Sequence, residues 1–434
     1  MVIITTILDV SMIITGVCLS EIVVLGSFGQ RRVLLFAILS AIIYILVGIR
    51  YKAFSLEVIT SRSRSMRRAM ASFAASVIAL ISISFLIKAS DELSRGISIF
   101  GCIAGCILLS LSRTWIANYA LKVLNGSKEN EIVLVDGLLP PENCTAFKVD
   151  TQALLLRPDI NDPVMLDRIG ALIRDADRVV VSCLPDRRAE WSLALKGSGM
   201  NVEVLAPELD VFGAITPRRY YGTATALVST GPLNLVDRIT KRAFDLSVAV
   251  VAVVMLTPLF LFIALLIKLD SPGPILFVQK RIGQGNRMFR MYKFRSMRAD
   301  ELDHSANRLT SRNDNRVTKV GKLIRKTSID ELPQIFNVLR GEMSLVGPRP
   351  HAIGALAGKD LYWEVTNKYW SRHAVKPGLT GLAQVKGFRG NTETGEDLIN
   401  RLNEDLAYLS EWSIWRDISL VIQTFGVLSH KNAF

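Results

Sequence analysis

Asp330 and Glu331 stand side by side in Arg325-Lys326-Thr327-Ser328-Ile329-Asp330-Glu331-Leu332-Pro333-Gln334, with basic residues before them and a proline just after. Proline suits a first helical turn, where N–H groups have no intrahelical partner, so the run predicts a helix that begins at the acidic pair. Carboxylates held there stay ionised and can meet a cation or an electrophilic phosphorus. The plainer alternative is a capping box, Ser328 with Glu331, and no chemistry at all.

The flanking sequence favours chemistry. Phe277-Val278-Gln279-Lys280-Arg281-Ile282-Gly283 and Tyr292-Lys293-Phe294-Arg295-Ser296-Met297-Arg298 precede the pair, as does Asn313-Asp314-Asn315-Arg316-Val317-Thr318-Lys319-Val320-Gly321. Val346-Gly347-Pro348-Arg349-Pro350-His351 and Lys376-Pro377-Gly378-Leu379-Thr380-Gly381 follow it. Arginines and lysines gathered around two carboxylates suit a polyanionic substrate with a divalent metal. A basic face resting on anionic lipid would need only scattered charge, without glycine and proline beside the arginines. Nucleic acid is a poor partner, because few aromatics interleave with the basic residues.

These residues need elements to hold them. The 434 residues are 50% hydrophobic yet carry a formal net charge of +13. That combination fits a membrane protein with a basic cytoplasmic side better than a soluble one. Apolar stretches at Ile7–Leu25, Val33–Ile49 and Ser72–Ala89 are long enough to span a bilayer, and Ile97–Leu111 is marginal. Asp9 and Glu21 inside the first are expected to face the bundle interior or the interface. That first stretch lacks the basic start of a signal peptide. Arg50, Lys52, Arg62, Arg64, Arg67 and Arg68 between the second and third stretches predict a cytoplasmic loop, with both chain ends on that side; Arg31 and Arg32 argue weakly the other way. Cys18, Cys102, Cys106, Cys144 and Cys183 show no paired metal spacing, so neither zinc nor a disulfide is expected.

From Glu131 to Pro217 the texture becomes α/β: strands at Glu131–Val135, Arg178–Ser182 and Val202–Leu205, helices at Pro163–Asp175 and Arg188–Ser198. This alternation predicts a small parallel sheet with crossover helices. A dinucleotide reader would need a glycine-rich turn after the first strand, and Val135-Asp136-Gly137-Leu138-Leu139-Pro140 supplies only one glycine. We read the module as degenerate, with a regulatory or assembly role. Leu246–Leu269 is a further apolar run, interrupted by Thr257-Pro258 and flanked by Arg238, Lys241 and Arg242 before and Lys268, Lys280 and Arg281 after. An interior proline kinks a helix, and the neighbouring hydroxyl can help satisfy the freed carbonyl. With both flanks basic, a kinked re-entrant hairpin is favoured over a straight span.

In this order the motifs from Asp237 to Phe434 resemble the bacterial sugar transferase family of polyprenyl-phosphate hexose-1-phosphate transferases. Four N-terminal spans ahead of an α/β module look like its larger members. The stretch from Lys386-Gly387-Phe388-Arg389 to His430-Lys431-Asn432-Ala433-Phe434 looks most like the branch that handles glucose for exopolysaccharide assembly. The resemblance implies a multi-domain membrane protein: a four-helix transmembrane bundle over 1–120, a degenerate Rossmann-like α/β module over 131–217, and an α-rich monotopic catalytic domain over 236–434 with its re-entrant helix at 246–269. It implies a bacterial inner-membrane location with catalysis at the cytoplasmic face. Asp330 becomes the nucleophile that attacks the β-phosphate of a UDP-sugar; UMP leaves, and undecaprenyl phosphate takes the sugar phosphate from the aspartate. Glu331 would hold Mg²⁺. Arg325 and Arg349 would grip phosphates, Lys280, Lys293 and Arg295 would contact the pyrophosphate or the lipid phosphate, Arg316, Pro348, Pro350, Lys376 and Gly378 would bind substrate, and Gly347 and Gly378 would allow close backbone approach. The partners implied are a UDP-sugar, undecaprenyl phosphate and the bilayer, with a homodimer as the assembly to test. The alternatives are one-step transfer with Asp330 as base or metal ligand, a plain glycosyltransferase, and a catalytically silent scaffold for polysaccharide assembly.

Overall fold

The computed structural model describes residues 2–27, 29–51, 53–54, 56–86, 95–123, 130–211, 218–298, 315–388, 392 and 394–428. They divide into two compact units, Met1–Asn130 and Glu131–Phe434. Lys52, Asn313, Asp314 and Arg389 of the quoted stretches lie outside the described residues, as does the end of the chain from 429.

The first unit contains the helices Val2–Leu25, Arg31–Arg50, Arg62–Leu86 and Arg95–Val123, each apolar and long enough to cross a membrane. Ile13, Tyr44, Phe73 and Leu109, one from each helix, share a buried cluster. The first and last helices meet backbone to backbone: a Cβ on Gly16 would lie 2.7 Å from the amide nitrogen of Gly105. Asp9 does face the interior, where Arg113 reaches it at 2.5 Å and the Tyr44 hydroxyl donates to it at 2.8 Å. The expected basic loop is a correction: Arg62, Arg64, Arg67 and Arg68 occupy the first turns of the third helix. The stretch read as marginal belongs to a helix of 29 residues, which Arg113 can join because its charge is paired.

The second unit opens with a sheet of β1 (Glu131–Asp136), β2 (Phe147–Asp150), β3 (Arg178–Cys183), β4 (Asn201–Leu205), β5 (Arg219–Tyr220) and β6 (Thr223–Ser229), in the order β2-β1-β3-β4-β6-β5. The first four are parallel and β6 runs antiparallel to β4. The predicted strands and helices are therefore present, but the sheet continues past residue 217 to Ser229 and takes an antiparallel edge. Helix Pro163–Leu172 starts where Asp162 accepts from the amides of Val164 and Met165, with proline in its first turn.

This module is packed tightly on the rest of the unit. The Met288 amide donates to Asp167 at 2.7 Å. A Cβ on Gly170 would lie 2.2 Å from the Gly285 carbonyl, and one on Gly197 2.3 Å from that of Trp370. These contacts admit no side chain.

Helix Leu235–Asp270 runs unbroken for 36 residues through Thr257-Pro258. Pro258 removes the amide partner of the Val254 carbonyl, yet the Thr257 hydroxyl donates to Val253 at 2.7 Å, so it does not repair that loss. Two basic residues near its start point inward, while Arg238 is exposed. Lys241 Nζ donates to the Val346 carbonyl at 2.9 Å and pairs with Asp417 at 2.6 Å, and Arg242 caps helix Ile335–Arg340 through the Val338 and Leu339 carbonyls. Farther along, Ile263 and Ile267 pack on Phe294 and Ile324. The opposite face exposes Val250, Val254, Met255, Leu261, Leu265 and Leu269.

Candidate active site

Behind the long helix, β7 (Leu276–Ile282) and β8 (Met288–Phe294) form an antiparallel hairpin. Helix Lys319–Lys326 follows, started by Thr318, whose hydroxyl accepts from the Gly321 amide. It ends at Arg325 and Lys326, and the chain then turns through Ser328 with φ +55°, a left-handed backbone that a non-glycine residue rarely adopts. A 3-10 turn, Ile329–Gln334, carries the acidic pair. The capping box does not form: the Ser328 side chain caps nothing, and Glu331 reaches across the fold instead.

Glu331 is the anchor of the site. Lys293, near the end of β8, reaches its Oε1 at 2.9 Å, and Arg349 forks onto both oxygens at 2.6 Å and 3.2 Å. Burial by itself would raise this carboxyl, but Arg349 and Lys293 hold it well below the usual carboxylate range. Asp330 is treated differently. Among the described residues its carboxylate accepts no hydrogen bond, and burial pushes its pKa up to about 6, with Glu331 pushing the same way and Lys293, Arg325 and Arg349 opposing. Adjacent carboxylates with divergent environments are the usual signature of divided roles.

Arg349 is itself held from behind. Arg372 donates to its carbonyl at 2.8 Å, forks onto Asp405 at 2.7 Å and 2.9 Å, and meets His351 Nδ1 at 2.9 Å. Arginine cannot accept, so Nδ1 must, which leaves His351 neutral. Burial and Arg372 push its pKa well down, in agreement.

Asp330, Glu331, Lys293, Arg325 and Arg349 are thus brought together. The other predicted residues stand elsewhere. Arg295 is buried and donates to the Ser271 and Pro272 carbonyls at 2.6 Å and 2.8 Å, closing the C-terminus of the long helix. That placement corrects the reading of a phosphate contact. Lys280 is exposed on β7. The Arg316 carbonyl accepts from the Arg298 amide at 3.0 Å in the approach to helix Lys319–Lys326. Lys376 neighbours Arg242 and the Gly341 turn. Gly378 and Gly347 press on each other, a Cβ on Gly378 lying 2.1 Å from the Gly347 amide. The Pro348 carbonyl accepts from the Gly378 amide at 3.0 Å, and Pro350 is buried, so these residues frame the Arg349 loop. The Thr257 and Pro258 pair sits within the unbroken helix. One residue that the motif reading passed over belongs here: Arg281, whose charge is felt by both Glu331 and Arg349.

A cationic pocket around one fixed and one free carboxylate can bind phosphates and attack one. The family model for bacterial sugar transferases matches residues 236–431. The chain is 52% identical over 204 residues to the undecaprenyl-phosphate glucose phosphotransferase of Komagataeibacter xylinus, covering 47% of this chain and 38% of that protein. It is 49% identical to the exopolysaccharide production protein PSS of Rhizobium leguminosarum bv. phaseoli over 43% of this chain and 94% of that protein. With the UDP-glucose:undecaprenyl-phosphate glucose-1-phosphate transferase of Escherichia coli (strain K12) it shares 43% identity over 53% of this chain and 50% of that protein. The chain therefore spans half or less of the first and third of these relatives.

Proposed function

The chain belongs to the bacterial sugar transferase family, and from that premise we propose that it moves a hexose 1-phosphate, glucose 1-phosphate foremost, from a UDP-sugar to undecaprenyl phosphate and releases UMP. This would be the initiating step of an exopolysaccharide or capsule. The observation that carries the reading is the unbonded, half-buried Asp330 carboxylate beside the doubly paired Glu331. In the first half-reaction an Asp330 oxygen attacks the β-phosphorus, the bond to the bridging oxygen breaks, and UMP leaves with that oxygen. In the second, an oxygen of undecaprenyl phosphate attacks the same phosphorus and Asp330 departs as a carboxylate. No proton need be gained or lost. Lys293, Arg325 and Arg349 would offset charge on the phosphoryl oxygens.

The acid pair fits Mg²⁺, which takes one or two carboxylates together with substrate phosphates and waters. Glu331, kept ionised by its cations, would hold it. Bound there, Mg²⁺ would supply charge neutralisation at the diphosphate.

Membrane attachment follows from the long helix. Its two ends and its middle all bond or pack against the same unit, through Lys241, Ala249, Phe260, Ile267 and Asp270. A helix pinned along its length cannot carry that unit across a bilayer. We therefore place both its ends and the catalytic site at one membrane face, the cytoplasmic face of the inner membrane, with the helix re-entrant and its exposed apolar side in lipid. The test is product analysis: the purified full chain with UDP-glucose, undecaprenyl phosphate and Mg²⁺ should release UMP. Release of UDP would overturn the phosphotransferase reading.

A further inference from the structure

Arg281 is a cation that the site encloses and leaves unpaired. In the β7–β8 register Lys280 stands opposite Arg290 and Arg281 opposite Phe289. Successive strand residues face opposite ways, so the exposed Lys280 and the inward Arg281 cannot serve the same pocket. Arg281 shares its face with Gln279, whose Oε1 accepts from its Nη2 at 2.6 Å. Its Nε is buried and has no hydrogen-bond partner. Among the described residues no carboxylate pairs with it, and Glu331, whose charge it feels, is engaged by Lys293 and Arg349. The Arg349 guanidinium is close enough to repel it, and burial together with that repulsion pushes its pKa down to about 10.

A half-buried guanidinium with a buried, unmet donor is costly unless an anion completes it. Two neighbouring guanidiniums, one of them fixed by a carboxylate, form a cradle for an oxyanion, and a phosphate oxygen matches the arginine fork. We propose that Arg281 binds a phosphate oxygen of the nucleotide-sugar diphosphate beside Asp330, through the buried donor that the fold leaves without a partner. The inference rests on the phosphotransferase reading for the identity of the anion, though the cradle itself does not.

The experiment uses the full chain in detergent and the variants Arg281→Gln and Arg281→Lys. Three quantities are read: UDP binding by equilibrium dialysis, transfer of label from radiolabelled UDP-glucose onto the protein without lipid acceptor, and the KM for undecaprenyl phosphate. Arg281→Gln should weaken UDP binding about ten- to hundredfold and slow labelling to match, with Arg281→Lys between it and wild type. The melting temperature should hold or rise, since an unpaired, half-buried charge is gone, and that separates lost binding from lost fold. Wild-type UDP affinity in Arg281→Gln would overturn the proposal. So would an effect confined to the KM for the lipid, which would assign the phosphate to the acceptor. If wild-type protein binds UDP in an Arg281-dependent way but takes up no label, the covalent mechanism fails while this inference stands.

Discussion

Replacing Asp330 by Asn separates what its carboxylate does for the chemistry from what it costs the fold. Burial raises the carboxyl from an ordinary 3.8 to about 6. A displacement of about 2 units is worth about 3 kcal/mol at most, since water reaches part of the group. The folded protein holds this proton more tightly than the unfolded chain does. Stability is therefore full while the proton is on, and it falls as pH rises from about 4 through about 6. Asn is neutral throughout and escapes the loss. Asp330→Asn should melt above wild type at pH 7.5, and the gap should narrow to about half at pH 5, where only about half of the penalty has developed. Tryptophan fluorescence during heating of both proteins in detergent at the two pH values measures this. Sugar-phosphate transfer by the variant should fall at least about a thousandfold, ~4 kcal/mol of barrier. A variant that melts below wild type at pH 7.5, or with the same offset at both pH values, would refute the desolvated carboxylate. Near-normal turnover would refute the nucleophile.

Glu331→Gln should act with the opposite sign on stability, because it strands Lys293 and Arg349 without their anion; we expect a loss of about 3 kcal/mol on chemical denaturation, and turnover reduced at least about a hundredfold with partial rescue at high Mg²⁺. Its stability difference from wild type should be full above pH 4.5 and shrink steadily as pH falls below it, since the Glu331 carboxyl is held low. Gly197→Val would drive a side chain into the Trp370 carbonyl at 2.3 Å. Trp370 belongs to the same turn as Arg372, so this change in the α/β module should lower kcat more than it raises the KM for UDP-glucose, as a displaced Arg349 would. An unchanged kcat in steady-state assays would show that the module does not position the site.

That the acidic pair, Lys293 and Arg349 belong to one cluster is legible because their types and glycine-proline surroundings have few structural uses. What could not be read was direction. Gln279-Lys280-Arg281 offers two adjacent cations, and nothing local says which one the hairpin turns inward; the pairing with β8 decides it. Lys293 and Arg295 look like same-face neighbours at a spacing of two, but β8 ends at Phe294, so Arg295 swings to the C-terminus of the long helix. The Ser328 and Glu331 spacing suggests a cap, and tertiary pairing with Lys293 and Arg349 overrides it. The same holds for Lys241 and Arg242, basic flanks of an apolar run by sequence but internal ties in the fold. The periodicity marks β1, β3, β4 and both helices of the α/β module, and misses β2 within it. It misses β5 and β6 as well, because the predicted module ends at residue 217.

Two carboxylates on consecutive residues would titrate alike if nothing distinguished them, and the fold distinguishes them by direction. The left-handed turn at Ser328 sends Glu331 toward two cations and leaves Asp330 beside them but bonded to none. Glu331 therefore keeps its charge, and that charge adds to burial in raising Asp330. On the proposed chemistry this serves both half-reactions. A carboxyl with a pKa of about 6 is mostly ionised at neutral pH, and is a stronger base than an ordinary aspartate when it attacks phosphorus. It can still leave as a carboxylate from the mixed anhydride. The consequence is a pH limb: the rate at which label passes from UDP-glucose to the protein should fall about tenfold for each pH unit below about 6 and level off above it. A limb near pH 4 would mean that Asp330 titrates like a solvated aspartate, and the division of labour between the two carboxylates would have to be abandoned.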